Sequence, residues 1–229
     1  MGAAFYVIAE RILQFLMYIA IDSSNQLLYT GIISGREKDI DALYKEFEKV
    51  FSKNNVAGKY HWSKLSKKTR DKLKKPLTQA LKNASRVNLN VVQHRKPQKS
   101  EKKDWYVYYL PAKIAQRLER WLEKTRGHVD ILVDNDYNVV RGGDGTKNFI
   151  ESLLRQLGVR LTGKEVTVRK ERGILKATIK HANGRILNIF GSVANKGTKG
   201  VHLVDVYLGL YLSDKKAFEK LKNVYFLEI

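Results

Sequence analysis

"HVDILVDND", residues 128–136, decides how the rest of the chain is read. It is an almost wholly apolar run of strand length that ends in carboxylates, the pattern of a strand covered on both faces in a mixed or parallel sheet. On its N-terminal side, Ile114, Leu118, Trp121 and Leu122 recur at helical intervals over 111–125, with Pro111 suited to a helix start. On its C-terminal side, residues 146–157 read as a second helix, capped by Gly158. A buried strand between two helices predicts an α/β fold.

The pattern continues outward. "MYIAIDSSNQ" (17–26) and "LLYTGII" (27–33) are short runs separated by "SSNQ", which predicts a hairpin with strands at 17–22 and 27–33. Residues 37–53 follow with helical spacing of Ile40, Leu43, Phe47, Val50 and Phe51. "SRVNLNVVQH" (85–94) alternates as a third strand with one wet face, and 165–193 is a run of β patterns with turn signals at "ERG" and "NGR". "VHLVDVYLGLYL" (201–212) is an apolar run, and a lysine-containing tail follows. There is no internal repeat.

At 229 residues the chain is expected to form one domain with additions: an N-terminal extension (1–16), a main domain (17–212) and a tail (213–229). A 43% hydrophobic content, with 12 Tyr, 8 Phe and 3 Trp, belongs to a globular protein and excludes a disordered chain. The absence of cysteine rules out disulfides and thiolate metal sites, and it suits a reducing, cytoplasmic location. The opening "MGAAFYVIAERILQFLMYIAI" is interrupted by Glu10 and Arg11, so no membrane span is expected, and it lacks the basic start of a secretory signal. Residues 4–16 read instead as a short packing element.

Charge points to the partner. Lys and Arg number 43 against 23 Asp and Glu, a balance of +20 that favours polyanions. The stretch from Lys59 to Arg126 holds 20 of the basic and 5 of the acidic residues, hence +15 of the +20. Within it, "HWSKLSKKTRDKLKKPLTQALKN" (61–83) sets Leu65, Leu73, Leu77 and Leu81 on one helical face and Lys64, Lys67, Lys68, Lys72, Lys74 and Lys75 largely elsewhere. A row of lysines attracts a phosphate backbone without reading sequence, so nucleic acid, RNA or DNA, is the expected partner. The same helix also reads as a solvated, charge-rich surface. "QHRKPQKSEKKDW" (93–105) reads as a basic loop, with Arg95 and Lys96 as further backbone contacts.

Three acids stand at widely separated places: Asp22 at the end of the first strand, Asp134 at the end of the buried strand, and Asp205 within the C-terminal apolar run. Carboxylates gathered without a cation repel one another, whereas Mg²⁺ or Mn²⁺ binds through several oxygens and makes such a cluster favourable. Two such ions activate water and stabilise the leaving oxygen in phosphodiester cleavage. Each acid also has a plainer reading: Asp22 and Asp134 as turn residues at strand ends, and Asp205 as a cap or a lysine partner. His61 and His202 read as packed polar residues, with His61 also a candidate acid or base. "RGGDGTKN" (141–148) reads as a tight turn with Asp144 or Thr146 as helix cap in preference to a phosphate cradle.

"YIAIDSS", "YHWSKL", "ILVDND" and "VHLVDVYLGLYL", in that order over residues 17–212, resemble the four landmarks of the domain of unknown function 3800 family, a branch of the RNase H-like superfamily. The resemblance implies an RNase H-like mixed sheet flanked by helices and a nuclease-type metal site. The family's landmarks are an Asp followed by Glu, Ser and Gly; a His; a strand ending in Asp; and an Ala-Asp-Leu run in a helix. They fall on Asp22, His61, Asp134 and Asp205. Ser23 stands where the family has Glu and Asn25 where it has Gly, which removes one metal ligand; Asp136 is the residue placed to compensate, and otherwise belongs to a turn. The stretch 165–193 is longer than the family needs there and reads as an insertion or edge strands.

The expected function is therefore a divalent-metal-dependent nuclease using Asp22, Asp134 and Asp205 with His61. The alternative is a non-catalytic RNA- or DNA-binding protein, such as a ribonucleoprotein subunit, that keeps the fold and uses the basic face. An acidic protein partner explains the charge but leaves the ordered acids to chance.

Overall fold

A computed structural model describes residues 16–24, 28–56, 61–95, 97–98, 100–101, 104–135, 144–181, 183–194, 197–221 and 223–228. In chain order the elements are β1 (Met17–Ser24), β2 (Tyr29–Arg36), α1 (Glu37–Lys53), α2 (Lys67–Asn83), β3 (Asn88–Gln93), α3 (Leu110–Leu122), β4 (Gly127–Asp134), α4 (Gly145–Thr162), β5 (Val168–Glu171), β6 (Ile174–Lys180), β7 (Ile186–Ala194), α5 (Lys199–Ser213), α6 (Lys215–Glu219) and β8 (Val224–Glu228). A 3-10 turn at Trp62–Lys64 and a π-turn at Trp105–Tyr109 complete the order among the described residues. The class is α/β with strands of mixed direction, as expected.

The elements fall into two compact units. One takes 1–18, 97–131 and 137–193; the other takes 19–96, 132–136 and 194–229.

In the first unit the strand order is β5-β6-β7-β4, with β5, β6 and β7 antiparallel in turn. Arg172 and Gly173 join β5 to β6 with φ of 48° and 86°, the two-residue turn whose twist matches a hairpin. Along β6, Leu175, Ala177 and Ile179 are buried while Ile174, Thr178 and Lys180 are exposed, so one face is covered and one is open. The covered face meets α4: a methyl on Gly191 would overlap Ile150. The helix α4 runs past Gly158 and ends at Gly163, whose φ of 71° gives the left-handed cap. Gly158 has a packing role instead, since a methyl there would overlap Val166. Pro111 lies in the first turn of α3, as expected, but the helical path already begins at Asp104. Having no N–H to give, Pro111 interrupts the ladder, and Leu110 donates to the Trp105 carbonyl five residues back, which widens the preceding turn to π.

In the second unit the order is β4-β1-β2-β3-β8, with β2 and β3 antiparallel and β3 and β8 parallel. Buried on both faces are β1, from Ile19 to Ser23, and β2, from Thr30 to Gly35. In β4, by contrast, His128 is exposed and Asp130 and Leu132 are half-buried, so its apolar look comes from one covered face. The wet face expected for the third strand is also absent, because Leu89, Asn90, Val91 and Val92 are all buried. Gly31 on β2 admits α5 closely: a methyl there would overlap Val204, Tyr207 and Leu208. Tyr207 then donates its hydroxyl to the Asn90 carbonyl at 2.7 Å. The tail is a working part of the sheet, since β8 pairs Leu89 with Val224. Asn223 fastens it by donating its amide to the carbonyls of Leu81 and Ala84 at the end of α2 and of Val87 just before β3.

No described helix is long and apolar enough to cross a membrane. Residues 1–15, which hold most of the apolar opening, lie outside the described residues.

Candidate metal centre and nucleic-acid interface

Asp22 and Asp134 end up buried, at 4% and 1% exposure. Asp22 lies in β1 and accepts the Ser23 backbone N–H at 2.7 Å through Oδ1, while Asp134 is the last residue of β4. The two strands are hydrogen-bonded neighbours, and the C-terminal ends of both, from Ile19 in β1 and from Leu132 in β4, belong to the second unit. A buried carboxylate stays charged at a cost that hydrogen bonds offset in part, and a cation offsets it further.

Asp205 does something different. It projects from the middle of α5 and accepts the Trp62 backbone N–H at 2.7 Å through Oδ2, with His61 Nδ1 at 3.7 Å from the same oxygen. Trp62 opens the 3-10 turn, so its N–H has no partner within that turn, and Asp205 supplies one from 143 residues away. One helical turn further along, Gly209 leaves the space in which the Trp62 indole lies; a methyl there would overlap the ring. Asp205 and Gly209 thus form a seat that holds the His61–Trp62 segment on α5.

Among the described residues no group of three or more His, Asp or Glu side chains stands close enough together to hold a metal ion. The structure brings Asp205 to His61 but does not gather Asp22, Asp134 and Asp205 into one such group. Asp136 lies outside the described residues. His202 is a packed polar residue, stacked on Phe51 at 6.0 Å and edge-on to Tyr44 at 5.9 Å.

The basic helix forms over Lys67–Asn83, shorter than the expected 61–83: Trp62–Lys64 is a separate 3-10 turn, and Leu65 precedes the Ser66 cap, so Lys64 and Leu65 lie off the helix. Ser66 caps α2 by accepting the Thr69 N–H at 3.1 Å, and Leu73, Leu77 and Leu81 are buried. Lys64, Lys67, Lys68, Lys72 and Lys75 are exposed. Lys74 is half-buried and paired with Asp71 at 2.8 Å, a contact whose hydrogen bond holds the Asp71 carboxyl below its ordinary value. It is therefore the least available of the six. Arg95 is exposed, and Lys96 lies outside the described residues. Asp144 precedes α4 as its N-cap residue, with its side chain on Lys147 Nζ at 2.7 Å, while Thr146 is buried; residues 141–143 lie outside the described residues.

What sequence reading missed is the role of Trp62 and Gly209. The signal was present as a Gly four residues after Asp205 and a Trp beside His61, but nothing in the chain's order says that the two meet. Comparison with family models, curated proteins and solved structures gives no match to this chain.

Proposed function

We propose that this chain is a nucleic-acid-binding protein of RNase H-like architecture that hydrolyses phosphodiester bonds with Mg²⁺ or Mn²⁺ held by Asp22 and Asp134. The observation that carries the reading is the burial of these two carboxylates at the ends of hydrogen-bonded neighbour strands in one unit. Hard oxygen donors suit these ions, and Mg²⁺ is commonly bound by one or two protein carboxylates completed by waters and substrate phosphates, so a pair is sufficient. Such an ion, when bound, supplies an activated water and stabilises the leaving oxygen. The chain's own residues do the rest: Ser23 N–H orients Asp22, and the exposed lysines of α2 draw the phosphate backbone to the same unit. Of the residues the resemblance singles out, Asp22 lies in β1, His61 precedes α2, Asp134 ends β4 and Asp205 lies in α5.

A second reading, a binding platform within a ribonucleoprotein, is favoured by the engagement of Asp205 with Trp62 and by Ser23 in place of the family's Glu. Cleavage of labelled single-stranded RNA, duplex DNA and an RNA–DNA hybrid with Mg²⁺ or Mn²⁺ separates the two. Cutting that EDTA, Asp22→Asn and Asp134→Asn each abolish is the expected result. Salt-sensitive binding without cutting leaves the platform, and no binding at all overturns both.

A further inference from the structure

The hairpin strands left without a role by the sequence build a surface of their own in the first unit. On β6 the open face carries Lys176, Thr178 and Lys180, and register pairs Lys176 with Arg169 of β5. The loop that follows α4 curls against this face, and loop and strands enclose a groove of about 740 Å³. Four of its cations, Lys164, Arg169, Lys176 and Lys180, form no ion pair with any described carboxylate, whereas Arg160 at the groove's end is held by Glu119 at 3.0 Å. Two like charges directly opposite across a strand pair repel, so the Arg169–Lys176 pairing costs stability unless an anion lies between them.

Beside the cations stands an aromatic. Phe190 of β7 is the cross-strand partner of Lys176, whose Nζ lies 5.5 Å from the ring. On the β4 side His128, which is exposed, lies nearly parallel to the same ring at 5.7 Å and 15°. Gly191 faces α4, so Phe190 belongs to the open side. Cations in a row and flat rings on an uncovered sheet are the chemistry that grips a phosphate backbone while a base stacks.

We propose that this open face binds single-stranded nucleic acid, with phosphates at Lys164, Arg169, Lys176 and Lys180 and a base against the His128–Phe190 pair. The proposal rests on the nucleic-acid part of the function proposed above and adds a site separate from α2 and from Asp22 and Asp134. A single strand is the occupant because the groove has the volume of a small-ligand pocket, enough for a nucleotide or two, and because a duplex keeps its bases stacked away from such a platform.

The test is fluorescence anisotropy of a short labelled single strand, RNA and then DNA, and of its duplex, titrated with the full chain over a range of salt. The variants are Lys176→Glu/Lys180→Glu, the milder Lys176→Gln/Lys180→Gln, and Lys68→Glu/Lys72→Glu on α2; circular dichroism checks folding. Sheet-face reversal is expected to weaken single-strand binding by about tenfold or more. The Gln pair is expected to lower the salt slope by about 1.4, two phosphates at about 0.7 each, with duplex binding following the α2 pair. Single-strand affinity and slope unchanged in the folded Gln pair, with loss confined to the α2 pair, overturns the sheet-face site alone. Single-strand binding lost at the sheet face with no metal-dependent cutting upholds the site and removes the nuclease. A wild-type chain that binds no nucleic acid overturns both.

Discussion

Replacing Asp205 by Ala removes the acceptor that fastens the His61–Trp62 turn to α5, and the cost can be worked from the contact. The bond is short, 2.7 Å, and its acceptor is charged, which places it in the range of about 1.5–3 kcal/mol for charge-assisted hydrogen bonds. Because the Asp205 side chain is 22% exposed, water takes part of that role in the variant, so the lower end, about 1.5 kcal/mol, is the expected loss. The His61 contact at 3.7 Å is solvent-accessible and adds little. For a chain of this size 1.5 kcal/mol lowers Tm by about 3–6 °C. Asp205→Asn keeps an oxygen that can accept the Trp62 N–H and is expected to lose about half as much. Thermal and urea unfolding followed by tryptophan fluorescence measures both. An Ala variant that melts within about 1 °C of wild type, or an Asn variant as weak as the Ala, refutes the seat.

Gly209→Ala forces a methyl into the Trp62 indole and is expected to cost about 1–3 kcal/mol by overpacking, read as a lower urea midpoint; an unchanged midpoint and emission maximum means the ring lies elsewhere. Burial raises the Asp130 carboxyl above its ordinary value, with His128 pulling it down, so the folded chain holds that proton more tightly than the unfolded one. Stability attached to this group is therefore present at low pH and lost as pH rises through its folded value. Asp130→Asn should raise Tm near neutral pH and leave it unchanged near pH 3, and equal shifts at both would contradict this. Converting Lys67, Lys68, Lys72 and Lys75 to Gln should flatten the salt dependence of duplex DNA binding by up to about 3.6 in log–log slope; an unchanged slope excludes α2 as the backbone contact.

Periodicity carried most of the element assignments because burial on one face leaves a period in the order of residues. It served α1 and α2 well: Ile40, Leu43, Phe47 and Phe51 are buried in the one, and Leu73, Leu77 and Leu81 in the other. It failed where a strand's second face depends on what covers it. β4 looked doubly covered and is open on the side of His128, while β3 looked half wet and is buried, because β8 at its edge and Tyr207 of α5 complete its surroundings. Gly158 looked like a stop and is a space for Val166, a distinction made by a residue in the following loop.

The candidate site divides the same way. Sequence alone determined the residue types and their local setting: acids ending apolar runs at Asp22 and Asp134, a basic helix with a leucine seam, and a charge balance of +20 concentrated before residue 127. These are properties of neighbours along the chain, and spacing records them. Only the tertiary structure decided that Asp205 turns to Trp62 and His61, that Gly209 makes room for the indole, and that Lys176 faces Arg169 across a strand pair. Those contacts join residues far apart in the chain or set by strand register, and their geometry is fixed by packing, which no period in the sequence encodes.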